Sequence, residues 1–491
     1  MTQNESHFRY KVLARDIEKK IKNGVYKPGE KLPSTRELHK KLNLSISTVY
    51  KAYIELEKKG LIEARPKSGY YVKLFTVENL TAFKTDADPP EGLSFSMLKQ
   101  ESDTPHRVAV PSFVNQALKA VNHPDYLHMG TAMISPKFLP FQELRKVLKD
   151  LTDREMESIL GYSLPQGDPE LRRQLSLRSL GIVDGINAKD YIITNGCTEA
   201  VSLALKAITK PGDIVAIESP TFYGFLPLLE DLDLMAVEIP TDPVTGVKID
   251  ALKDAVRKYP VKTCLLVPNF HNPLGSLMPD DNKRSLVEFL NRKEIPIIED
   301  NINAELYYGK QRPIPLKAFD RKDLVIFCSS FSKTLAPGLR IGWTLPGKRF
   351  FNKVLKLKAG FSVSSSSLEQ HLFSVFMVRG NYERYLRSLR IQIKQQVYQF
   401  ADAINRLFPK QVRIYKPKGG ILLWIELPEG VNGINIYQRA LEKRISILPG
   451  TVFSTSGRFD NFIRIGCGFP FNDETEKGLA ILSSIIEDNI K

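Results

Sequence analysis

Five short apolar runs in the middle of the chain each end close to a residue that could do chemistry. Together these residues offer a hydroxyl, an aromatic ring, an amide, a carboxylate and a lysine amine. Because the carboxyl ends of parallel strands meet at one edge of a sheet, we expect the five side chains to share one pocket. In that order, they are Thr198, Phe222, Asn272, Asp300 and Lys333.

A lysine and an acid in one pocket point to pyridoxal 5'-phosphate as the cofactor. The Lys333 amine can form a Schiff base with the cofactor aldehyde if the site is poorly solvated. Asp300 is placed to keep the ring nitrogen protonated, so that the ring can accept electrons. Gly196, Cys197 and Thr198 precede a helical run, and the amide N–H groups of a helix start bind phosphate. An aromatic side chain at a strand end can stack on the ring.

Metal and disulfide chemistry are not indicated. The four cysteines are scattered, and no pair has CxxC or zinc-finger spacing. We interpret at least three of them as buried free thiols. Histidine, cysteine and carboxylate residues form no cluster in the sequence that would predict a metal site.

Several motifs around the pocket residues resemble those of fold-type I aminotransferases and occur in the family's order. SSFSKTLAPGLRIGW is similar to the lysine motif, NGCTEA to the phosphate loop, HNPLG to the asparagine motif and IIEDN to the aspartate motif. The resemblance covers about residues 127–491. It implies the α/β fold of pyridoxal-phosphate-dependent transferases, with a large, mostly parallel-sheet domain and a smaller C-terminal α+β lobe at about 346–491.

The resemblance also implies roles for single side chains. Lys333 would carry the cofactor, and Asn272 would bind its ring hydroxyl. Arg464, in FIRIGCGF, would pair with the α-carboxylate of a substrate or effector in a bidentate geometry that lysine cannot copy. Tyr162, in GYSLPQGDPELR, would reach the phosphate bound by the neighbouring subunit. The phosphate itself would be held by Ser330, Ser332 and Arg340.

One position departs from the family pattern. The family usually has a tyrosine two or three residues after the aspartate, where it shares the ring hydroxyl with the asparagine. This chain has Asn301, Ile302 and Asn303 after Asp300. Asn303 can substitute only weakly, because a carboxamide differs from a phenol in acidity and reach. The departure weakens the case for transamination more than the case for cofactor binding.

Positive charge is concentrated at the N-terminus. Of a formal net charge of +15, residues 1–75 supply +9, from 17 Lys or Arg against 8 Asp or Glu. A small basic segment on a nearly neutral body indicates a polyanionic partner. A solvated, lysine-rich surface would give the same charge, so the predicted elements have to decide between the two.

Three helices and a hairpin are predicted in this segment, which is the pattern of a winged helix-turn-helix. An amphipathic helix covers 8–23. Ser34 and Glu37 predict a capping box on TRELHKKL, and Ser45 or Ser47 begins a third helix that Gly60 ends. LIEARPKSGYYVKL then gives two short strands. The residues predicted to face the core are Phe8, Val12, Ile17, Ile21, Val49, Tyr53 and Leu56.

The stretch EKLPSTRELHKKLNLSISTVYKAYIELEKKGLIEARPKSGYYV resembles the GntR-type winged helix over most of residues 8–74. Fused to an aminotransferase-like domain, it resembles the MocR subfamily of bacterial regulators. Ile46 stands where many GntR proteins have an arginine, so we expect an atypical target sequence. Helix capping is the alternative role of the serines and threonines. The residues assigned to DNA by the resemblance are Ser34, Thr35, Arg36, Ser45, Ser47, Thr48, Tyr50, Lys51, Lys67, Ser68 and Gly69.

These patterns divide the chain into a DNA-binding domain at 1–75, a linker at 76–126 and an aminotransferase-like domain at 127–491. The linker is expected to contain a docking helix at 113–121. No apolar run approaches the roughly 18 residues needed to cross a bilayer, and MTQNESHFRYK lacks the apolar core of a secretory signal. We therefore expect a cytoplasmic protein without a membrane partner.

The leading hypothesis is a transcription regulator. One domain would bind pyridoxal 5'-phosphate with an amino acid or amine effector, and the other would bind a double-stranded DNA operator. The subfamily resemblance implies a head-to-tail homodimer. The alternative is an active class I/II aminotransferase with an accessory DNA-binding domain. A third hypothesis, an enzyme tethered to nucleic acid without sequence preference, would discriminate little among DNA sequences.

Overall fold

The computed structural model divides the chain into two compact units, Met1–Ser94 and Phe95–Lys491. No helix in the described part of the chain is long and apolar enough to cross a membrane. The residues that the structure describes are 10–18, 26, 30–42, 44–58, 61–65, 68–72, 104–110, 114, 117, 119 and 123–490.

The first unit contains the predicted helices and wing. Its helices cover 10–18, Thr35–Leu42 and Ile46–Lys58, and its strands β1 (Ile62–Arg65) and β2 (Gly69–Val72) pair antiparallel.

Both helix starts in the helix-turn-helix are capped by serines. The Ser34 N–H donates to Glu37 Oε2 at 2.6 Å, and the Glu37 N–H donates to Ser34 Oγ at 3.2 Å. The predicted capping box is therefore confirmed. At the next helix the Thr48 N–H donates to Ser45 Oγ at 3.1 Å, so Ser45 rather than Ser47 is the cap.

The core of this unit confirms one predicted stripe and corrects another. Val49, Tyr53 and Leu56 are fully buried, as predicted. On the first helix the prediction was wrong at Val12, whose relative exposure is 53%. Helical spacing instead buries Leu13, Ala14 and Ile17 together, because positions three and four residues apart share a face. Phe8, Ile21 and Gly60 lie outside the described residues.

A nine-stranded sheet forms the centre of the second unit. The order is β3-β7-β6-β9-β10-β11-β12-β5, with β8 beside β7. The neighbours from β7 through β11 are parallel, whereas β3 and β12 run antiparallel to the strands beside them. The strands are β3 (His106–Arg107), β5 (Ile192–Thr194), β6 (Ile214–Ser219), β7 (Met235–Asp242), β8 (Gly246–Val247), β9 (Val261–Leu266), β10 (Ile297–Asp300), β11 (Val325–Ser330) and β12 (Gly342–Leu345).

Helices cover this sheet, and two apolar clusters fill the space between the layers. The apolar runs in the sequence predicted such a layered, mostly parallel sheet, which the structure confirms. The α-helices up to the end of the sheet are Phe141–Lys149, Asp153–Leu160, Pro169–Ser179, Cys197–Ile208, Leu226–Asp231, Ile249–Lys258 and Asp280–Arg292.

The C-terminal part of the chain forms a smaller lobe around a four-stranded sheet of order β13-β14-β17-β16. The strands of the lobe are β13 (Arg413–Ile414), β14 (Leu422–Glu426), β15 (Ile445–Ser446), β16 (Leu448–Pro449) and β17 (Phe462–Gly466). Of these, β15 lies outside the four-stranded sheet of the lobe. Its α-helices are Gly347–Ser362, Ser367–Val378, Asn381–Leu407, Gly433–Glu442 and Asp473–Glu487.

Two short strands pair with partners that their positions in the sequence did not predict. Strand β4 (Leu127–His128) pairs with β15 of the smaller lobe, although about 300 residues separate them. Strand β3 comes from the segment 76–126 and joins the edge of the large sheet beside β7. Of the docking helix expected at 113–121, the described residues Val114, Ala117 and Lys119 are helical.

Candidate cofactor pocket and DNA-binding surface

A pocket opens at the carboxyl edge of the large sheet, where five strand ends meet. Strand β12 runs antiparallel, and its first residues bring the preceding loop to the same edge. The structure thus brings together residues that are far apart in sequence. The predicted site residues that line the pocket are Cys197, Thr198, Phe222, Asn272, Asp300, Asn303, Ser332, Lys333 and Arg340.

One end of the pocket is an anion cradle. The helix Cys197–Ile208 begins after Gly196, which has φ of +83° and caps the helix with no side chain. A Cβ at Gly196 would lie 2.3 Å from Arg340 Nη2, so the guanidinium can approach the backbone only because this residue is glycine. Arg340 Nη2 also donates to the Asn195 carbonyl at 3.2 Å. Uncapped amides, a guanidinium and nearby hydroxyls suit a phosphate group.

Asp300 lies at the end of β10 and is almost fully buried. Burial raises the pKa of Asp300 to about 6, although the Ile302 N–H, the Cys197 thiol and the Lys333 charge oppose the shift. Cys197 Sγ donates to Asp300 Oδ1 at 3.4 Å and the Ile302 N–H donates to the same oxygen at 3.0 Å. A carboxylate held in this way can pair with a protonated ring nitrogen.

Lys333 follows β11 and faces the same space. Burial and, to a smaller extent, the charge of Arg464 lower the pKa of Lys333 to about 8, although the charge of Asp300 opposes the shift. Its Nζ donates to the Ala132 carbonyl at 2.7 Å. A lowered pKa increases the neutral fraction of the amine near pH 7, and the neutral amine is the form that attacks a carbonyl.

Arg464 in β17 of the smaller lobe does not line the pocket but bonds to a residue that does. It is fully buried, and its Nη1 donates to Asn272 Oδ1 at 3.0 Å while its Nη2 donates to the Gly130 carbonyl. Its guanidinium lies 5.7 Å from the Tyr223 ring centroid and 5.2 Å from that of Phe453. Within the described chain its Nε has no hydrogen-bond partner. A buried N–H without a partner is costly, and a ligand carboxylate would satisfy it.

The residues in this pocket fit pyridoxal 5'-phosphate. The cradle suits its phosphate, Asp300 suits its ring nitrogen and Lys333 suits its aldehyde. Asn272 Oδ1 already accepts a hydrogen bond from Arg464. No group of three or more His, Cys, Asp or Glu suited to a metal occurs in the described part of the chain.

Two predicted cofactor residues make other hydrogen bonds in the structure, and a third lies on the surface of the single chain. Ser330 Oγ accepts the Ser332 N–H at 3.2 Å and caps the turn that carries Lys333, rather than lining the pocket. Asn303 lines the pocket, but its Nδ2 donates to the Phe270 carbonyl at 2.9 Å. Tyr162 is 91% exposed and stays a prediction, because its expected contact is with the neighbouring subunit.

Sequence reasoning missed a set of buried partners behind the cradle. Lys358 is fully buried and forms an ion pair of 2.9 Å with Glu199, in the first turn of the phosphate-side helix. The available signal was helical spacing, because Lys358 lies four residues after Val354, on the buried face of the same helix. The Ala132 carbonyl left no signal in the sequence, since any residue supplies a carbonyl.

The predicted DNA-binding residues lie mostly on the surface of the first unit. Thr48 is the exception, because it is buried with its Oγ1 2.7 Å from Ser45 Oγ. Gly69 has φ of +114° at the start of β2, a conformation that favours glycine. Thr35 is half-buried, while the Arg36 side chain and Lys67 lie outside the described residues. The exposed members are Ser34, Ser45, Ser47, Tyr50, Lys51 and Ser68.

Comparison with known proteins agrees with this division. The model of aminotransferase class I and II matches residues 135–476, and that of bacterial regulatory proteins of the gntR family matches residues 9–72. The chain is 35% identical over 471 residues to YjiR of Escherichia coli K12, described as an uncharacterized HTH-type transcriptional regulator. That alignment covers 96% of this chain and 97% of YjiR.

Solved structures resemble the second unit. LysN, the α-aminoadipate aminotransferase of Thermus thermophilus complexed with N-(5'-phosphopyridoxyl)-L-leucine, is 25% identical with a TM-score of 0.71. The match covers 77% of this chain and 95% of LysN. Kynurenine aminotransferase of Pyrococcus horikoshii is 26% identical with a TM-score of 0.73, over 82% of this chain and 99% of that one.

The pocket, the winged helix and these matches agree on one architecture. A class I and II aminotransferase domain of fold type I, with pyridoxal 5'-phosphate as its cofactor, follows a GntR-type DNA-binding domain. The chain therefore belongs to the MocR subfamily of GntR-type transcription regulators.

Proposed function

We propose that an amino acid or amine controls the DNA binding of this regulator through its cofactor pocket. The observation that carries the proposal is Arg464, which is fully buried with an unpartnered Nε, donates to Asn272 of the pocket lining and carries a charge that acts on Lys333. The bound cofactor would supply an aldehyde for primary amines and a ring that accepts electrons. A regulator needs a ligand that distinguishes two states of the protein, and this pocket has the groups to recognise one.

The two groups define the class of effector. A primary amine would compete with Lys333 for the cofactor, which frees the lysine side chain. A carboxylate would pair with Arg464 and satisfy its Nε, so α-amino acids fit the pocket better than simple amines. Since Arg464 comes from the smaller lobe and Lys333 from the large sheet, such a ligand would draw the two lobes together, as in hinge closure.

A chain of contacts leads from Arg464 toward the start of the second unit. Phe453 packs on the Arg464 guanidinium, and the residues that follow it bind the large sheet. Ser454 Oγ and Thr455 Oγ1 donate to Glu238 of β7, at 2.9 and 2.7 Å. Thr455 Oγ1 also lies 2.6 Å from His106 Nε2 in β3. Strand β3 belongs to the first described stretch of the chain after the DNA-binding unit. A movement of residues 453–455 would therefore also move β3.

An active aminotransferase is the second candidate. Lys333 and Asp300 provide the groups that its first half-reaction needs, but the usual tyrosine is absent and the Asn303 amide donates to a backbone carbonyl. We therefore expect slow turnover at most. Steady conversion of an amino acid with a 2-oxo acid, without any ligand effect on DNA binding, would support the enzyme.

We further propose that the protein acts as a head-to-tail homodimer in the cytoplasm. Two large apolar side chains that flank Tyr162 in the sequence are exposed in the single chain, Leu160 at 81% and Leu164 at 60%. Exposed apolar clusters of this kind mark interaction surfaces. A DNA-binding regulator works where the bacterial chromosome lies, which supports the cytoplasm.

The test combines two measurements on the full-length protein loaded with cofactor. Amino acids and amines are screened for changes in the cofactor absorption spectrum, and each hit is then tested on DNA fragments selected by the protein. We expect at least one α-amino acid to change both the spectrum and the affinity for selected DNA. Spectral hits that never alter DNA binding would contradict effector control, and equal retention of unrelated DNA would support the non-specific tether.

A further inference from the structure

A buried lysine lies behind the phosphate cradle but does not line the cofactor pocket. Lys358, near the end of the helix Gly347–Ser362, has a side chain with no solvent exposure. Its ammonium donates to Glu199 Oε2 at 2.9 Å, to Ser362 Oγ at 2.7 Å and to Ser365 Oγ at 3.1 Å. These three bonds use all three donors of the ammonium group.

Glu199 connects this lysine to the cradle. Its Oε2 accepts the Asn195 N–H at 2.6 Å, and its Oε1 accepts the Ser362 hydroxyl at 2.8 Å and lies 3.3 Å from Asn195 Nδ2. The Asn195 carbonyl in turn accepts Arg340 Nη2. A continuous set of hydrogen bonds thus runs from Lys358 through Glu199 and Asn195 to the guanidinium that faces the phosphate position.

The charges make this arrangement informative. A carboxylate in the first turn of a helix is favourable by itself, but here the same helix start is the place for a phosphate dianion. Two like charges at one helix end repel each other, so Glu199 requires a nearby cation for the cradle to stay attractive. Burial lowers the pKa of Lys358, and the hydrogen bond and charge of Glu199 oppose that shift.

We propose that Lys358 is a positioning residue for the cofactor phosphate. Through Glu199 it fixes the Asn195–Gly196 turn and the Arg340 guanidinium, and it neutralises the carboxylate beside the cradle. Lys358 therefore contributes to phosphate affinity without contacting the phosphate. A purely structural lysine would stabilise the fold but would not distinguish a phosphorylated ligand from an unphosphorylated one.

The experiment compares pyridoxal 5'-phosphate with pyridoxal, which lacks the phosphate. Affinities of both for the apo form of the full chain are measured by absorbance titration. In Lys358→Met we expect the affinity for pyridoxal 5'-phosphate to fall about 10-fold to 100-fold, the order of effect of an uncompensated charge near a ligand at an effective dielectric of about 20. Affinity for pyridoxal is expected to change less than threefold.

Two further variants keep the test decisive if Lys358→Met folds poorly. Glu199→Gln removes the repelling charge, so its preference for the phosphorylated ligand should fall far less than in Lys358→Met. The double variant should recover most of that preference. Lys317→Met is the matched control, because Lys317 is also buried and paired, with Asp320 at 3.0 Å, but its other hydrogen bond goes to the Val325 carbonyl and not to a residue of the cradle.

The outcomes separate clearly. A selective loss for the phosphorylated ligand in Lys358→Met, with recovery in the double variant and no such loss in Lys317→Met, supports the proposal. Equal losses for both ligands, the same selectivity change in Lys317→Met, or a larger loss in Glu199→Gln than in Lys358→Met would overturn it.

Discussion

The two units of this protein place their functional residues in opposite environments. In the winged helix the core is apolar and the polar residues assigned to DNA are mostly exposed, as for Tyr50 and Lys51. In the aminotransferase domain the polar residues assigned to the ligand lie inside, where Asp300 and Arg464 are buried and Lys333 is half-buried in the pocket.

This difference has an energetic consequence. Burying a charged group costs free energy, and the shifted pKa values of Asp300 and Lys333 are the sign of that cost. Exposed lysines and serines cost little. We therefore expect substitutions in the pocket to affect both ligand binding and stability, whereas substitutions of exposed lysines on the DNA surface should affect DNA binding alone.

The largest expected effect is that of Lys333→Ala. Without the amine, the cofactor cannot attach covalently, so the absorption band of lysine-bound cofactor should be absent while the circular dichroism of the protein stays normal. The matched control is Lys283→Ala, since Lys283 is a buried lysine of the same domain that binds Asp280 and the Ile314 carbonyl instead of facing the pocket. An unaltered band in Lys333→Ala would refute the assignment of this lysine.

Asp300→Asn should bind the cofactor more weakly than the parent protein but should be more stable. The pKa of Asp300 is about 6 in the folded protein and roughly 3.9 in an unfolded chain. The unfolded state therefore releases this proton first, and the carboxylate destabilises the folded state increasingly as pH rises from about 4 to 6. The cost above pH 6 is on the order of 3 kcal/mol, at 1.36 kcal/mol for each pKa unit.

The apo form of Asp300→Asn should accordingly resist urea better than the parent protein, and more so at pH 8 than at pH 5. At the same time its cofactor affinity should fall, because an amide does not stabilise a protonated ring nitrogen. A stability gain that is independent of pH would show that the ionisation of Asp300 is not its cause.

The next effect is the coupling between the pocket and DNA. Thr455→Val keeps the shape of the side chain but removes the hydroxyl that contacts Glu238 and His106. We expect the cofactor spectrum and basal DNA binding to stay normal while the effector response shrinks. Typical coupling is about 1–3 kcal/mol, or roughly 5–150-fold in affinity. Thr451→Val is the control, because the Thr451 hydroxyl has no hydrogen-bond partner in the described chain.

Arg464→Ala tests the other end of the same chain of contacts. It should keep the lysine-bound cofactor but lose the response to effectors that carry a carboxylate. An effector response that survives in both Arg464→Ala and Lys333→Ala would require a second ligand site.

Sequence reasoning worked best where one local rule decides the structure. The capping box at Ser34 and Glu37 depends on residues three apart, and the strand ends that carry Asp300 and Lys333 follow from apolar runs and the rule for parallel sheets. The order of the motifs along the chain then indicated the protein family. Such rules need no knowledge of distant contacts.

The rest depended on contacts that no local pattern encodes. Val12 was misplaced because the rest of the apolar core, which packs on Leu13, Ala14 and Ile17, decides which face of the first helix is buried. The Glu199–Lys358 pair joins residues 159 positions apart, and β4 pairs with β15 across the whole second unit. Arg464 was expected from its motif, but its unpartnered Nε is visible only in three dimensions.

The smallest effects are expected on the DNA surface, where single charges act through solvent. Arg36→Ala, Lys51→Ala and Lys67→Ala should each reduce the steepness of log affinity against log salt by about 1. The reason is that a variant with one phosphate contact fewer displaces about one counterion fewer from the DNA when it binds. Cofactor binding and unfolding by urea should not change. Lys353→Ala is the control, because Lys353 is an exposed lysine of the second unit.

If Arg36 reads a base instead, its variant should change the preferred DNA sequence as well as the salt slope. Since Ile46 replaces an arginine that many GntR proteins have, such a change would identify Arg36 as a base-reading residue of this domain. If the binding curves of all three variants match those of the parent at every salt concentration, the winged helix presents another face to DNA. The exposed residues that bind DNA would then have to be sought on that other face.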